Sequence, residues 1–233
     1  MKKEAIASTA LKLSLIGSVL IFVARQNMVM SQAREVIQAM GANPEEHTWT
    51  NEIEWQAFKL ACEEAYGINS ELFKVAKYGV LCHHSGLFTE VRLATEKLMR
   101  EANPKIIIST TTLGQGVNIG VSSVIFAHVF IDEQKRIKNN DFWNIAGRAG
   151  RSFVDREGKI LFAVDASREK WKAKRDRELA NEYFQSGNQK PAISGLLYII
   201  SYIFRQAEKV SIDFDLLLEL IANNDFSQFS NGV

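Results

Sequence analysis

The chain has 233 residues, of which 46% are hydrophobic and 24% charged, and its formal net charge is +1. These values exclude collagen-like, mucin-like and wholly disordered chains, and the length suits one full domain with an appendage or two small domains. The balanced charge neither indicates nor excludes nucleic acid, because a local basic face can exist within a neutral total.

The cysteines and the apolar runs indicate the compartment. Two cysteines, Cys62 and Cys82, are too few and too far apart for a disulfide framework or a zinc site. We expect them to be reduced core thiols. The longest apolar runs are shorter than the ~20 residues that span a membrane. The sequence therefore predicts a cytoplasmic protein with no membrane partner and no metal bound by its own residues.

Strands and helices alternate through the first two thirds of the chain. Continuous apolar runs are typical of strands that are buried on both faces, whereas apolar residues at helical spacing indicate the intervening helices. Gly41 is placed as a residue that ends a helix. This succession predicts an α/β fold with a parallel, doubly wound sheet. The predicted strands are 18–24, 78–82, 105–109, 123–126 and 159–164, and the predicted helices are 31–40, 50–66, 70–78, 88–101 and 141–150.

The pattern changes near residue 167, after which no strand is indicated. Three helices are predicted, at 168–185, 191–209 and 213–223. We therefore expect one domain over 1–165 and a small helical tail over 166–233. The first of these helices mixes many basic residues with Glu169, Asp176 and Glu178, which favours a solvated helix face.

Four residues near position 148 form the sharpest local signal. Arg148 and Arg151 are three residues apart and would project from one face of a helical turn, while Gly147 and Gly150 remove bulk beside them. A guanidinium group is always charged, and it can donate two parallel hydrogen bonds to the oxygens of one phosphate. The pattern fits a polyphosphate site, and a solvated helix end with Gly150 as its cap fits as well.

The segment 105–121 joins an apolar strand to threonines and glycines. Thr110 and Thr112 follow the strand, and Gly116 and Asn118 come next. Ligands bind at the carboxyl ends of parallel strands, where hydroxyl and backbone N–H groups can hold phosphate oxygens. An ordinary glycine-rich turn is the alternative.

Two further segments resemble sites but carry weaker signals. His83 and His84 are adjacent, so their side chains diverge, and no third ligand has a supporting spacing; we expect a strand end and a turn there. Asp132 and Glu133 end an apolar run as in the magnesium-binding strand of a nucleotide hydrolase. The chain contains no G-x-x-x-x-G-K-[ST] phosphate loop, so we expect an exposed turn followed by a short basic tip.

Taken in order, these segments resemble the motifs of one family. The chain over about 15–165 is similar to the second RecA-like domain of superfamily-two helicases, particularly the Ski-type and Hel-type branch of the DExH-box enzymes. Agreement of several motifs in order and spacing is more specific than any one of them. The matching segments are SVLIFVARQNM for motif IV, GVLCHHSGL for motif IVa, IIISTTTLGQGVNIGV for motif V, and NIAGRAGR for motif VI with its lead-in KRIKNNDFW.

The resemblance implies a RecA-like fold and an ATP-binding role. In this family two RecA-like domains close over ATP and Mg²⁺, which the first domain mainly holds. Arg148 and Arg151 would be arginine fingers that stabilise charge on the transferred phosphoryl group. Motif V and motif VI would place four more residues near the nucleotide, namely Gly116, Asn118, Asn144 and Gly147.

The resemblance also implies contacts with single-stranded or duplex nucleic acid, either RNA or DNA. Such contacts bind the backbone and do not read sequence. The segment 131–140 could be a reduced strand-separating hairpin, although a plain surface loop is favoured, and the tail could begin a winged helix. The residues that would touch the backbone are Arg25, Ser85, Gly86, Thr110 and Thr112.

Two departures from the family pattern keep an alternative open. Asn144 stands where motif VI usually has Gln, and Gly120 stands where motif V usually has Pro. A degenerate RecA-like module that binds nucleic acid or a partner without catalysis is the alternative to a helicase motor domain. A small hydrolase that works alone is disfavoured by the missing phosphate loop. We expect the chain to work with a first RecA-like domain, in the same protein or in a separate subunit.

Overall fold

A computed structural model describes residues 2–67, 69–114, 119–150, 157–165 and 169–185. The predicted helices 191–209 and 213–223 lie outside these residues. In the described part of the chain, no helix has the length and apolarity that a membrane crossing requires.

Helices and strands alternate along the described chain. The seven helices are α1 (Lys2–Ser14), α2 (Asn27–Ala39), α3 (Glu52–Tyr66), α4 (Glu71–Ala76), α5 (Thr89–Glu101), α6 (Asn139–Ala146) and α7 (Lys170–Phe184). The five strands are β1 (Val19–Val23), β2 (Val80–His83), β3 (Ile106–Ser109), β4 (Ser123–His128) and β5 (Lys159–Phe162). A 3₁₀ turn over Thr111–Gly114 follows β3 directly.

The five strands form one parallel sheet in the order β2-β3-β1-β4-β5. Ile106 of β3 is in register with both Val19 of β1 and Val80 of β2, so these strands start at the same level. Every residue of β1, β2 and β3 is buried, which explains their continuous apolar sequences. The predicted α/β class and the parallel, RecA-like sheet are confirmed.

Helices cover both faces of the sheet. α1 and α2 pack against each other and contact β3, whereas α5 packs on β2 and against α3. The chain moves in opposite directions across the sheet from β1 to β2 and from β2 to β3. Because parallel crossovers are right-handed, α2, which follows β1, and α5, which follows β2, lie on opposite faces.

Several predicted element ends are wrong by a few residues. α2 begins at Asn27 rather than at residue 31, because Gln26 already has helical angles and makes no capping side-chain bond that would mark the start in the sequence. α6 ends at Ala146 rather than at residue 150, since Gly150 has φ +89°, in the left-handed region that favours glycine. Gly41 ends α2 with φ +101°, as predicted.

An aromatic cluster joins α6 and α7 to the sheet. The ring of Phe142 on α6 stacks on Phe126 of β4 at 4.1 Å and on Tyr183 of α7 at 4.6 Å. Tyr183 also donates its hydroxyl hydrogen to the carbonyl of Ile137 at 2.7 Å. Helix α7 therefore packs on the same core as the sheet, while the domain boundary after residue 165 stays a prediction.

The prediction that α7 is a solvated charged helix is wrong for one face. Asp176 is only 3% exposed, and Leu179 and Tyr183 lie on the same side of the helix at spacings of three and seven residues. The Asp176 carboxylate accepts hydrogen bonds from Lys2 Nζ at 2.8 Å and from the backbone N–H of Asp165 at 3.0 Å. These charged hydrogen bonds allow the carboxylate to be buried.

Candidate functional site: two edges of the sheet

The candidate nucleic-acid residues come together at one edge of the sheet. Arg25 follows the end of β1 by two residues, Ser85 follows the end of β2 by two, and Thr110 follows β3 directly. Parallel strands place these ends side by side in the order β2, β3, β1. We call this the carboxyl edge, defined by Arg25, Ser85, Gly86, Thr110 and Thr112.

A hydrogen bond ties the two outer loops of the carboxyl edge together. Gln26 Nε2 donates to Ser85 Oγ at 2.5 Å. A Cβ at Gly86 would lie 2.9 Å from Gln26 Oε1 and 3.2 Å from His84 Nδ1, so a larger residue would displace both side chains. The glycine thus keeps this turn close to the motif IV loop. Ser85 and Gly86 are exposed.

A buried histidine supports the two threonines. His83 is 1% exposed, and its Nε2 lies 2.9 Å from Glu96 Oε1. A carboxylate only accepts hydrogen bonds, so Nε2 carries the hydrogen and Nδ1 is an acceptor. Thr112 Oγ1 lies 3.4 Å from that Nδ1 and 3.1 Å from Thr110 Oγ1. Burial lowers the pKa of His83, although the Glu96 carboxylate opposes this shift, so the ring is neutral near pH 7.

The two threonines differ in accessibility. Thr110 is 4% exposed, whereas Thr112 is partly exposed. Of the two threonine hydroxyls, that of Thr112 is therefore the accessible one, with Thr110 behind it. His83 thus supports a hydroxyl, and its partner Glu96 was not identified from the sequence, because the contact depends on α5 packing against β2.

Arg25 lies on the carboxyl edge beside the segment that follows β4. Its Nε donates to the carbonyl of Phe130 at 3.2 Å, which fixes one side of the guanidinium. The chain then turns back at Asp132, whose carboxylate accepts hydrogen bonds from the N–H groups of Gln134 and Lys135. A single antiparallel bridge joins Phe130 to Arg136 and closes the segment 130–136 into a turn; whether this segment is a plain surface loop or a reduced strand-separating hairpin stays a prediction. Its tip is exposed, as predicted for Asp132 and Glu133.

The candidate nucleotide residues that the structure describes, Asn144, Gly147 and Arg148, lie at the opposite edge, where β4 and β5 begin. A parallel bridge joins Val121 to Ala149: Val121 N–H donates to the carbonyl of Arg148 at 2.9 Å, and Gly150 N–H donates to the carbonyl of Val121 at 2.8 Å. Val121 precedes β4 by two residues. Motif VI is thus attached to the end of motif V by backbone hydrogen bonds.

Arg148 follows α6 and lies partly buried at this junction. It lies in a turn just beyond α6, which ends at Ala146, and its backbone N–H donates to the carbonyl of Ile145 at 3.1 Å; the shared face with Arg151 stays a prediction, because Arg151 lies outside the described residues. Its Nη1 donates to the carbonyl of Ile119 at 3.4 Å. Burial lowers the pKa of Arg148 from its ordinary value, but a guanidinium keeps its charge at neutral pH. Asn144 and Gly147 beside it are exposed.

Close backbone packing fixes the position of this segment. A Cβ at Gly158 would lie 2.4 Å from the carbonyl oxygen of Ala149 and 2.8 Å from the backbone nitrogen of Gly150. Backbone atoms cannot rotate away as side chains do, so only glycine fits here without moving the chain that carries Arg148.

Three of the predicted site residues lie outside the described residues: Gly116 and Asn118 of motif V, and Arg151 of motif VI. Among the residues that the structure describes, no group of three His, Cys, Asp or Glu side chains is placed to hold a metal ion. The pair His83 and Glu96 is instead part of the threonine support.

Comparison with known proteins identifies the domain. Residues 50–153 match the helicase conserved C-terminal domain. The Hachiman protein HamB of Bacillus cereus is 50% identical over 96% of this chain and 20% of its own length. The ATP-dependent DNA helicase Hel308 of Thermoplasma acidophilum is 27% identical over 77% of this chain and 24% of its own length. The DExH-box ATP-dependent RNA helicase DExH13 of Arabidopsis thaliana is 30% identical over 64% of this chain and 7% of its own length.

The chain thus spans about a quarter or less of the length of these curated relatives. The match to the C-terminal domain covers the carboxyl edge from Ser85 onward and motif VI as far as the segment after Gly150. The parallel sheet and the order of the motifs agree with that match. The chain therefore carries, over residues 50–153, the helicase conserved C-terminal domain of superfamily-two helicases, and its relatives are consistent with the Ski-type and Hel-type branch.

Proposed function

We propose that this chain is the second motor domain of an ATP-dependent nucleic-acid helicase. The observation that carries the proposal is the separation of the candidate residues onto two edges of one sheet. The candidates for nucleic acid follow the carboxyl ends of β1, β2 and β3, and the described candidates for nucleotide lie where β4 and β5 begin. A domain built in this way contacts a nucleic-acid strand at one edge and a nucleotide at the other.

At the nucleotide edge, Arg148 would stabilise negative charge on the transferred phosphoryl group. The exposed Asn144 amide and Gly147 backbone leave room for a polyphosphate beside a permanent positive charge, so the residues fit this ligand. ATP with Mg²⁺, held mainly by a first RecA-like domain, supplies the phosphoanhydride that is cleaved. Arg151 belongs to the same motif and would add a second guanidinium.

Coupling between the two edges would run through the sheet. Arg148 is fixed to Val121 and Ile119, which lead into β4, and β4 pairs directly with β1, whose end Arg25 follows by two residues. A shift of motif VI during nucleotide turnover would therefore reach the strand-binding edge through two neighbouring strands. This arrangement favours a motor domain over a module that only binds.

Binding to single strands tests the proposal at the carboxyl edge. The 233-residue chain should bind a fluorescein-labelled 20-nucleotide oligomer, weakly and in a salt-sensitive manner, with little ATP hydrolysis on its own. Arg25→Ala should weaken binding, because it removes one backbone contact. Arg34→Ala is the matched control, because Arg34 is an exposed arginine of α2 that pairs with Glu71 of α4. Equal affinity of the two variants would contradict the proposed role of the carboxyl edge.

The two alternatives give different results in the same assays. Brisk ATP hydrolysis by the isolated chain would favour a hydrolase that works alone. Strand binding that persists while motif VI substitutions leave ATP turnover unchanged in the assembled protein would favour a binding module without catalysis. The relatives include both DNA and RNA helicases, so both an oligodeoxynucleotide and an oligoribonucleotide belong in the binding assay.

A further inference from the structure

The first turns of α7 carry an exposed aromatic ring with two cations near it. Trp171 is 57% exposed. The guanidinium carbon of Arg175, one helical turn later, lies 5.4 Å from the Trp171 ring centre, and Lys172 Nζ also lies 5.4 Å from it. A large indole that keeps more than half its surface in water is available for a further contact.

This ring is continuous with the carboxyl edge. The guanidinium carbon of Arg175 lies 5.0 Å from the ring centre of Phe130, so that Arg175 contacts both Phe130 and Trp171. Phe130 follows β4 by two residues, and its carbonyl accepts the hydrogen bond from Arg25 Nε at 3.2 Å. The contacts therefore run from Trp171 through Arg175 and Phe130 to Arg25.

Together with the strand order, these contacts define a continuous path for a ligand along the carboxyl edge. Loops from β2, β3, β1 and β4 follow one another along the edge, and they present Ser85, Thr112, Arg25 and Phe130. Three strand spacings of about 4.8 Å span about 14 Å, which is room for about four nucleotides at the 3.4 Å spacing of a stacked strand. Trp171 lies at the β4 end of this path.

The nearby cations are already paired with carboxylates. Arg175 Nη2 donates to Asp176 Oδ1 at 3.0 Å, and Lys172 Nζ donates to Glu169 Oε1 at 2.8 Å. Both cations thus already have a carboxylate partner, and what Trp171 adds for a ligand is the flat surface of the indole. Flat aromatic surfaces bind nucleobases by stacking without reading the sequence.

We propose that Trp171, backed by Arg175, is a stacking platform for a base of single-stranded nucleic acid at the β4 end of the carboxyl edge. The proposal rests on the proposed function, which places a nucleic-acid strand along that edge. It adds a binding residue on α7, outside the helicase motifs.

The test compares variants of the 233-residue chain by fluorescence anisotropy with 20-nucleotide deoxythymidine and uridine oligomers over a series of salt concentrations. Trp171→Ala should weaken binding by about 5- to 150-fold, the range for loss of one stacked base, and Trp171→Phe should retain most of the affinity. Lys174→Ala is the control, because the Lys174 side chain is 78% exposed on the same helix. Circular dichroism checks that each variant is folded.

The salt series separates this inference from the proposed function. Trp171→Ala should leave the slope of log K against log salt unchanged, whereas Arg25→Ala should make it shallower by about 0.7. If Arg25→Ala weakens binding and Trp171→Ala binds as tightly as Lys174→Ala, the inference is wrong and the proposed function stands. If the parent chain binds neither oligomer, both are wrong. Quenching of tryptophan fluorescence on binding should be lost in Trp171→Phe, and quenching that persists would also contradict the platform.

Discussion

Replacing Asp176 by alanine tests how α7 is held on the domain. Its carboxylate is 3% exposed and accepts hydrogen bonds from Lys2, from the Asp165 backbone and from Arg175. Removing one partner of a buried ion pair costs about 3–5 kcal/mol. Lys2 is 26% and Arg175 is 45% exposed, so both can regain water in the variant. We therefore expect a loss of about 2–3 kcal/mol in the free energy of unfolding.

Urea denaturation followed by far-UV circular dichroism measures this loss. Glu178→Ala is the matched control on the same helix, because Glu178 is 66% exposed and lies 3.8 Å from Lys174. Exposed pairs of this kind contribute less than about 0.5 kcal/mol. A loss below about 1 kcal/mol for Asp176→Ala would refute the conclusion that this carboxylate anchors α7.

Two further predictions concern motif VI and pH. Gly158→Ala should destabilise the chain by about 1–3 kcal/mol, because the new Cβ would lie 2.4 Å from the carbonyl oxygen of Ala149. It should also weaken the nucleotide-dependent activity of the assembled protein. Wild-type stability of this variant on thermal unfolding would contradict the prediction. Burial lowers the pKa of His128 to about 4, so the unfolded chain binds a proton between pH 6.5 and pH 4 that the folded chain does not. The free energy of unfolding should therefore fall as the pH drops through this range, and His128→Gln should flatten the fall; an unchanged pH profile in that variant would show that another group is responsible.

The sheet was predictable because β1, β2 and β3 are buried on both faces. Short continuous apolar runs that alternate with helical patterns are typical of strands in a parallel sheet, so strand number and direction were indicated by the sequence. The start of α2 was not predictable, because Gln26 makes no capping side-chain bond. The end of α6 was not predictable either, because Gly147, the residue that follows its last residue Ala146, still has helical angles.

The candidate site was predictable as motifs but not as contacts. The order of motifs IV, IVa and V placed Arg25, Ser85 and Thr112 on successive strand ends, and the parallel sheet brings those ends together. The support of Thr112 by His83 and Glu96 depends on α5 packing against β2, for which the sequence carries no local signal. Contacts of this kind follow from tertiary packing alone.

The burial of Asp176 was not predictable from the sequence, for a different reason. Charged residues surround it in the sequence, and a run of charges usually marks a solvated face. The helical spacing of Asp176, Leu179 and Tyr183 does mark one face of α7, but the sequence does not say that Lys2 reaches that face from the other end of the domain. This ion pair joins two residues that are 174 positions apart in the sequence.

Motif VI is proposed to act on a nucleotide held by another domain. The rate of ATP hydrolysis at saturating single strand decides this question, measured for wild type and Arg148→Ala in the assembly of this domain with a first RecA-like domain. Loss of an arginine finger lowers turnover by about 10³- to 10⁵-fold, and strand affinity and folding should be unchanged. Turnover in Arg148→Ala within about twofold of wild type would show that Arg148 does not act on the nucleotide.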